Sequence, residues 1–201
     1  VLIAIPVFVL MGAILEKSKI AEELLDTMGR SFGQLRGGLG ISVVLVGALL
    51  AASTGIVGAT VVAMGMIALP TMLRAGYNPA VASGIVCTAG TLGQIIPPST
   101  LLIILADVMS NAFQQAQYEQ GKFSVEALSV GQFFAAAILP GLTLVVLYLV
   151  YILIRGALRP QDMPPAELGL ARPDRREVMG AIAPPVLLIF AVLAAQNGAE
   201  H

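Results

Sequence analysis

"GTLGQIIPPSTLLIILAD" occupies residues 90–107 and sets two adjacent prolines inside an apolar run. Proline removes a backbone donor, and its ring clashes with the carbonyl one turn back, so a helix interior tolerates it badly. A chain that interrupts itself at Pro97 and Pro98, with Gly90 and Gly93 just before, builds either a kink or a site there. The surrounding solvent decides how much such a break costs.

The 201 residues are 57% hydrophobic and only 11% charged, with a mean hydropathy of +0.89. Soluble domains carry about 25% charged residues. Too little charge is present to cover a water-facing surface, so most of this chain lies in lipid. A net charge of −1 leaves no electrostatic footprint for nucleic acid. The single cysteine, Cys87, excludes an internal disulfide, and its apolar neighbours place it as a packed core thiol. The single histidine, His201, is the last residue, so neither a His-based metal site nor a His base is available. Residue 1 falls inside the apolar run "VLIAIPVFVLMGAIL", and a new apolar run has just begun before "AVLAAQNGAEH". The chain reads as an internal stretch of a larger membrane protein, with truncated transmembrane helices at 1–15 and 178–201.

Apolar blocks cover 1–15, 39–73, 80–106, 130–154 and 178–195. Between the first two, "EKSKIAEELLDTMGRSFGQLRGG" (16–38) places Ile20, Leu24, Leu25, Met28 and Phe32 at helical spacing. That pattern fits an amphipathic helix in the membrane interface, with Glu16, Lys17, Lys19, Glu22 and Glu23 on its solvated face. The 39–73 block would measure roughly 52 Å as one helix, far beyond the ~30 Å hydrocarbon core. Cut at "STGIVGAT" (53–60), it becomes two arms too short to span. Arg36 precedes the block and Arg74 follows it, so under the positive-inside rule the segment enters and leaves on one face. Residues 39–75 then form a re-entrant hairpin.

The 80–106 block is interrupted at "GQIIPPS" but has the length of one crossing, giving a broken transmembrane helix over 79–106. The stretch 107–129 carries Asp107, Glu119, Glu126 and only Lys122, which marks an external loop, with room for a short helix. The span 130–154 returns to the Arg-rich 155–177, which places every Lys and Arg except Lys122 on one side, the cytoplasmic one.

Backbone that leaves a helix in lipid exposes polar groups costing several kcal/mol each, and it survives only where protein or a water-filled cavity covers it. Two breaks of matching chemistry, "AASTGIVGAT" and "TLGQIIPPST", therefore have two readings. They are kinks that permit close helix packing, or they are a transport site. In the second reading freed carbonyls and hydroxyls hold a small cation, and half-helix N-termini favour an anion. Thr60 flanks the first break as a ligand or as a threonine bonded one turn back, and Thr88 fits the backbone-bonded role better. Asp107 is an intramembrane carboxylate or a solvated helix end. Ser42 lies in the first arm away from the tip and is expected to tolerate alanine. An enzyme would need a nucleophile with a base or paired carboxylates at membrane depth. Ser53 and Ser99 have no His, Lys or carboxylate in their blocks, and HExxH, GxSxG and GxxxxGK[ST] do not occur. No cofactor is implied. An ion channel or a non-transporting scaffold subunit is the alternative to a transporter.

The stretch "GGLGISVVLVGALLAASTGIVGATVVAMGMIALPTMLRAGYNPAVASG", followed by "GTLGQIIPPS", resembles the large membrane subunit of tripartite ATP-independent periplasmic (TRAP) transporters. The likeness runs from about Ile5 to Leu158, with the tip variant closest to the mannitol/chloroaromatic branch. It implies a multi-pass protein of the bacterial inner membrane that imports small organic acids with sodium as coupling ion. It further implies two partners, a small membrane subunit and a periplasmic substrate-binding protein. The fold it implies is an all-α polytopic elevator-type secondary transporter, in which a mobile domain holds re-entrant hairpins and broken helices. Carried over here, one sodium site lies between the tip, at Ser53, Thr54, Gly55, Gly58 and Thr60, and the unwound stretch from Gly93 through Pro97 to Ser99. Many relatives flank the tip glycine with two serines. Thr54 and Ile56 stand there in this chain, so one hydroxyl is replaced by a carbonyl. The second inverted half of that fold does not follow residue 195, and this chain alone is not expected to transport.

Overall fold

A computed structural model describes residues 20–54, 57–97, 99–121, 128–166, 173–174, 176–184 and 186–187. Regular structure among the described residues is helical throughout. Helix α1 spans Ile20–Phe32, with Glu22 and Glu23 in its first turn and Arg30 in its last, each at the end where the helix dipole favours it. Leu24, Leu25 and Met28 are buried. The apolar stripe packs on the next helix, which removes its apolar area from water.

Helix α2, Gly38–Thr54, is apolar on every face, as a central helix must be. Leu39, Val43, Val44 and Val46 are at most 1% exposed, and α2 touches α1, α3, α4 and α6. Ser42 is fully buried, and its hydroxyl donates to Met28 O at 2.8 Å and to Gly38 O at 3.0 Å. It is therefore a fastener between α1 and α2.

Helix α3, Val57–Arg74, lines Thr60, Met64, Ala68 and Met72 along one buried face, four residues apart. It ends in a Schellman turn: Gly76 (φ 83°) donates to Leu73 O at 3.0 Å and Tyr77 N to Met72 O at 3.1 Å. Asn78 then caps helix α4, Pro79–Thr91, by accepting from Ala80 N at 3.0 Å, with Pro79 at the first helical position. The six residues "RAGYNP" thus stop one helix and start the next.

Ala82, Ile85, Val86, Ala89 and Gly90 form the buried face of α4. Cys87 lies on the opposite face and is exposed, which corrects the expectation of a packed thiol. The block containing it is apolar all round, so hydropathy does not tell which face turns inward. After a 3-10 turn at Leu92–Gln94 the chain resumes as α5, Thr100–Glu119. The region from 107 to 119, expected as a loop, continues this helix. Leu101, Ile104, Leu105, Val108 and Phe113 are exposed apolar residues at helical spacing, and Asp107 sits among them on an exposed face. One carboxylate on such a face interrupts the hydropathy but not the hydrogen bonds, and the following Gln and Ala residues are good helix formers.

Helix α6, Val130–Leu158, opens on a capping box between Ser129 and Gln132. At 29 residues it is about 43 Å long, enough to cross a bilayer at a tilt. Its buried residues are Phe134, Gly141, Val145, Ile152 and Gly156, a single narrow seam, and most of its remaining surface is exposed and apolar. Its length and composition allow it to cross a membrane.

Residues 159–166 fold back under the bundle. Met163 O accepts from Gly37 N at 3.2 Å, Asp162 O from Asn78 N at 2.9 Å, and Gly33 O from Ala166 N at 2.8 Å. Asp162 also pairs with Arg155 at 3.1 Å. The start of α2, the start of α4 and the end of α6 therefore meet at one end of the molecule. There Tyr77 is buried, and desolvation holds its phenol above the ordinary range. Residues 176–184 are helical again, with Val178, Ala181 and Ile182 against the core.

Candidate functional site

The other end of the bundle gathers the two breaks. Ala89 lies against Gly47 of α2, where an added Cβ would come within 2.7 Å of the alanine Cβ. Gly90 lies against Val61, and its own Cβ would stand 3.0 Å from the valine Cα. Only small residues allow this approach, which seats the end of α4 on both arms flanking the tip. The 3-10 turn that follows packs on α2 and α3, and it touches α5 and α6 as well. On the far side, Gly141, just after Pro140, faces Ile95 and Ile96, with Ile95 O 3.6 Å from where its Cβ would be.

Four helix termini flank the two breaks. The carbonyl ends of α2 at Thr54 and α4 at Thr91 bring partial negative charge, and the amide ends of α3 at Val57 and α5 at Thr100 bring partial positive charge. Helix ends of both signs at such breaks offer oxygen ligands to a cation and N–H donors to a carboxylate. No group of three His, Cys, Asp or Glu side chains comes together among the described residues. A cation here would be held by carbonyls and hydroxyls.

The expected ligands divide in this setting. Thr60 is 3% exposed and sits beside Val61 at the contact with Gly90. Gly93 and Pro97 are buried in the unwound stretch. Ser99 is fully buried and already employed: its hydroxyl donates to Gln94 O at 2.9 Å and accepts from Leu102 N at 3.4 Å. It closes the unwound loop and caps α5, a structural role that its position just before an apolar run signals. Gly58 is exposed, with open space where a Cβ would be. The side chains of Ser53 and Thr54, with Gly55 entire, lie outside the described residues, as does Pro98. Thr88 bonds Gly84 O at 2.9 Å and Ile85 O at 3.0 Å, the backbone role expected of it. Sequence reasoning missed the contribution of Pro140 and Gly141. The signal was present, because Pro-Gly inside a long apolar run marks a third irregularity at membrane depth.

Helical structure, a spanning helix in a chain of this hydropathy and two interrupted segments gathered beside it define an all-α membrane protein. Residues 1–198 match the family described as tripartite ATP-independent periplasmic transporter, DctM component, and the chain belongs to that family. It is 39% identical over 156 residues to the C4-dicarboxylate TRAP transporter large permease protein DctM of Pseudomonas aeruginosa, covering 77% of this chain and 33% of that protein. Over 190 residues it is 29% identical to the ectoine TRAP transporter large permease protein TeaC of Halomonas elongata, covering 94% and 40%. Over 141 residues it is 29% identical to the isethionate TRAP transporter permease protein DctMQ of Oleidesulfovibrio alaskensis, covering 70% and 20%. The chain spans about a third of the length of the large permeases from P. aeruginosa, Rhodobacter capsulatus and Vibrio cholerae that it matches.

Proposed function

We propose that this chain forms the first half of the moving, ion-binding part of a large TRAP permease, a multi-pass protein of the bacterial inner membrane. The complete permease works with a small membrane subunit and a periplasmic binding protein that delivers a small organic acid. Sodium drives uptake, and residues 39–75 act as a re-entrant hairpin in an elevator-type movement. The single observation that carries this reading is the division of the bundle into two ends. The feet of α2 and α4 and the end of α6 share the strap 159–166 beside Arg36, Arg74, Arg155 and Arg159, and both breaks lie at the other end. A segment that starts and finishes at the basic end, with its interruption held at depth by neighbouring helices, satisfies the rule that irregular backbone in a membrane must be covered.

Sodium would sit between the tip, at Ser53, Thr54, Gly55, Gly58 and Thr60, and the unwound stretch Gly93–Ser99, at the carbonyl ends of α2 and α4. The substrate carboxylate would face the amide ends of α3 and α5. The relatives are all named as permeases, which favours transport over the channel and scaffold alternatives. The test is uptake by the complete three-component system, with sodium titrated against a panel of C4-dicarboxylates, sulfonates and aromatic acids. Saturable uptake that requires sodium is expected. Sodium-independent uptake removes the coupling claim, and ion conductance without saturable uptake supports a channel.

A further inference from the structure

A cavity of about 530 Å³ opens between α2, α4 and α6 toward the basic end, away from the two breaks. Its walls are apolar, built from Val44, Val81, Ile85 and Ile152 with the rings of Tyr148 and Tyr151, and Arg155 stands at its edge. We propose that this slot is a binding site for one anionic phospholipid of the leaflet on the basic side, with an acyl chain between α4 and α6 and the phosphate at Arg155.

Three observations carry the assignment. Arg155 lies in the last turn of α6, and Tyr148 lies two turns deeper, about 10 Å along the helix. The slot thus runs from headgroup level into hydrocarbon. Around it the α6 surface is exposed and apolar, with Leu147, Val150, Leu153 and Ile154 each at least 42% exposed, so the slot borders a lipid-facing wall. The guanidinium keeps donors to spare: one Nη bonds Asp162 at 3.1 Å and the other Tyr151 OH at 3.4 Å, each through one of its two hydrogens, and the side chain is 32% exposed. A phosphate oxygen is the acceptor that such a donor at a membrane surface meets most readily, and basic pockets between membrane helices on this side bind anionic headgroups. Arg36, Arg74 and Arg159 at the same end add long-range attraction of the same sign.

Gly84 lines the slot, and nothing lies within 4 Å of where its Cβ would be. Gly84→Leu therefore fills the slot without disturbing the backbone or the strap. The full-length permease, assembled with its small subunit, would be placed in nanodiscs of equal parts phosphatidylglycerol and phosphatidylcholine. After extraction, retained lipid is read by native mass spectrometry. Wild type should retain one phosphatidylglycerol in preference to phosphatidylcholine, and Gly84→Leu should lose it. Arg155→Gln should reduce the headgroup preference about fivefold, and Arg155→Lys should largely keep it. The proposal rests on the membrane placement of α6 but not on transport: neither sodium nor substrate enters the readout, so loss of the coupling claim leaves it standing. Equal retention of both lipids by wild type overturns it. So does undiminished phosphatidylglycerol on Gly84→Leu, or a photocrosslinker at position 84 that captures another segment of the permease instead of lipid.

Discussion

Gly90 presses on Val61 so closely that a Cβ on the glycine would stand 3.0 Å from the valine Cα. This contact couples the end of α4 to the first turns of α3, and through them the Pro-Pro break to the hairpin tip. Valine at position 90 has no room without moving one arm, an overpacking cost of about 1–3 kcal/mol. Gly90→Val in the complete transporter should insert normally but lower uptake, with a lower melting temperature for the purified permease. Wild-type uptake and melting would show that the arms are free to separate.

Ser99 combines a cap with a possible ligand oxygen, and two substitutions separate the roles. Alanine at an N-cap costs about 1 kcal/mol, but glycine costs only a few tenths. Ser99→Ala and Ser99→Gly both delete the hydroxyl. If that oxygen contributes about 1.4 kcal/mol to ion binding, both should raise the half-saturating sodium concentration roughly tenfold, and alanine alone should cost the cap. A sodium curve for Ser99→Gly that overlays wild type would restrict Ser99 to capping.

Ser42→Ala removes the buried bond that holds α1 to α2 through Met28 O. A destabilisation of about 1 kcal/mol is expected, measured by thermal unfolding in detergent, with no change in sodium dependence. Unchanged melting would mean that packing of Leu24 and Leu25 alone secures α1.

Asp162 anchors Arg155 and accepts weakly from the Asn78 amide at 3.5 Å. Because the arginine is partly exposed and the pair is screened, Asp162→Ala should change the melting temperature little. The backbone bonds of the strap should survive. Limited proteolysis should therefore show little new cleavage at 159–166, and rapid cleavage there would make the side chain, not the main chain, the fastener.

Cysteines at 36 and 76 should react with an impermeant thiol reagent from one side of the membrane, and a cysteine at 120 from the other, in a background with Cys87 replaced by alanine because Cys87 is exposed. Labelling of 36 and 76 from opposite sides would eliminate the re-entrant reading of 39–75.

Much of this arrangement was legible in residues taken singly. Length arithmetic on the 39–73 block, with its small hydroxyl-rich centre, marks two helices, and α2 ends at Thr54 and α3 begins at Val57 within that centre. The Pro-Pro break is equally explicit, since two prolines leave no continuous helix there. Hydropathy reports quantity and not direction, which explains what it concealed. It could not turn Cys87 outward, because every face of its block is apolar, and it stopped α5 at Asp107 although the helical spacing of its apolar residues runs on to Phe113. The tie from Ser42 to Met28 joins residues fourteen apart, with no local pattern to announce it. At the candidate site, the types of ligand were readable but their prior commitments, such as Ser99 to Gln94 O, were not.

The strap at 159–166 contains Pro160, Pro164 and Pro165, whose fixed φ limits the paths open to it. Its bonds to Gly37 and Asn78 come from carbonyls of the main chain, so they depend on where the strap runs and hardly at all on which side chains it carries. The feet of α2 and α4 thereby hang from the same short piece of chain that continues α6. A displacement of the hairpin that spares these bonds must carry the foot of α6 with it. The polar gap between two hydropathy peaks is mechanically a tether, and lengthening it would release three helices together.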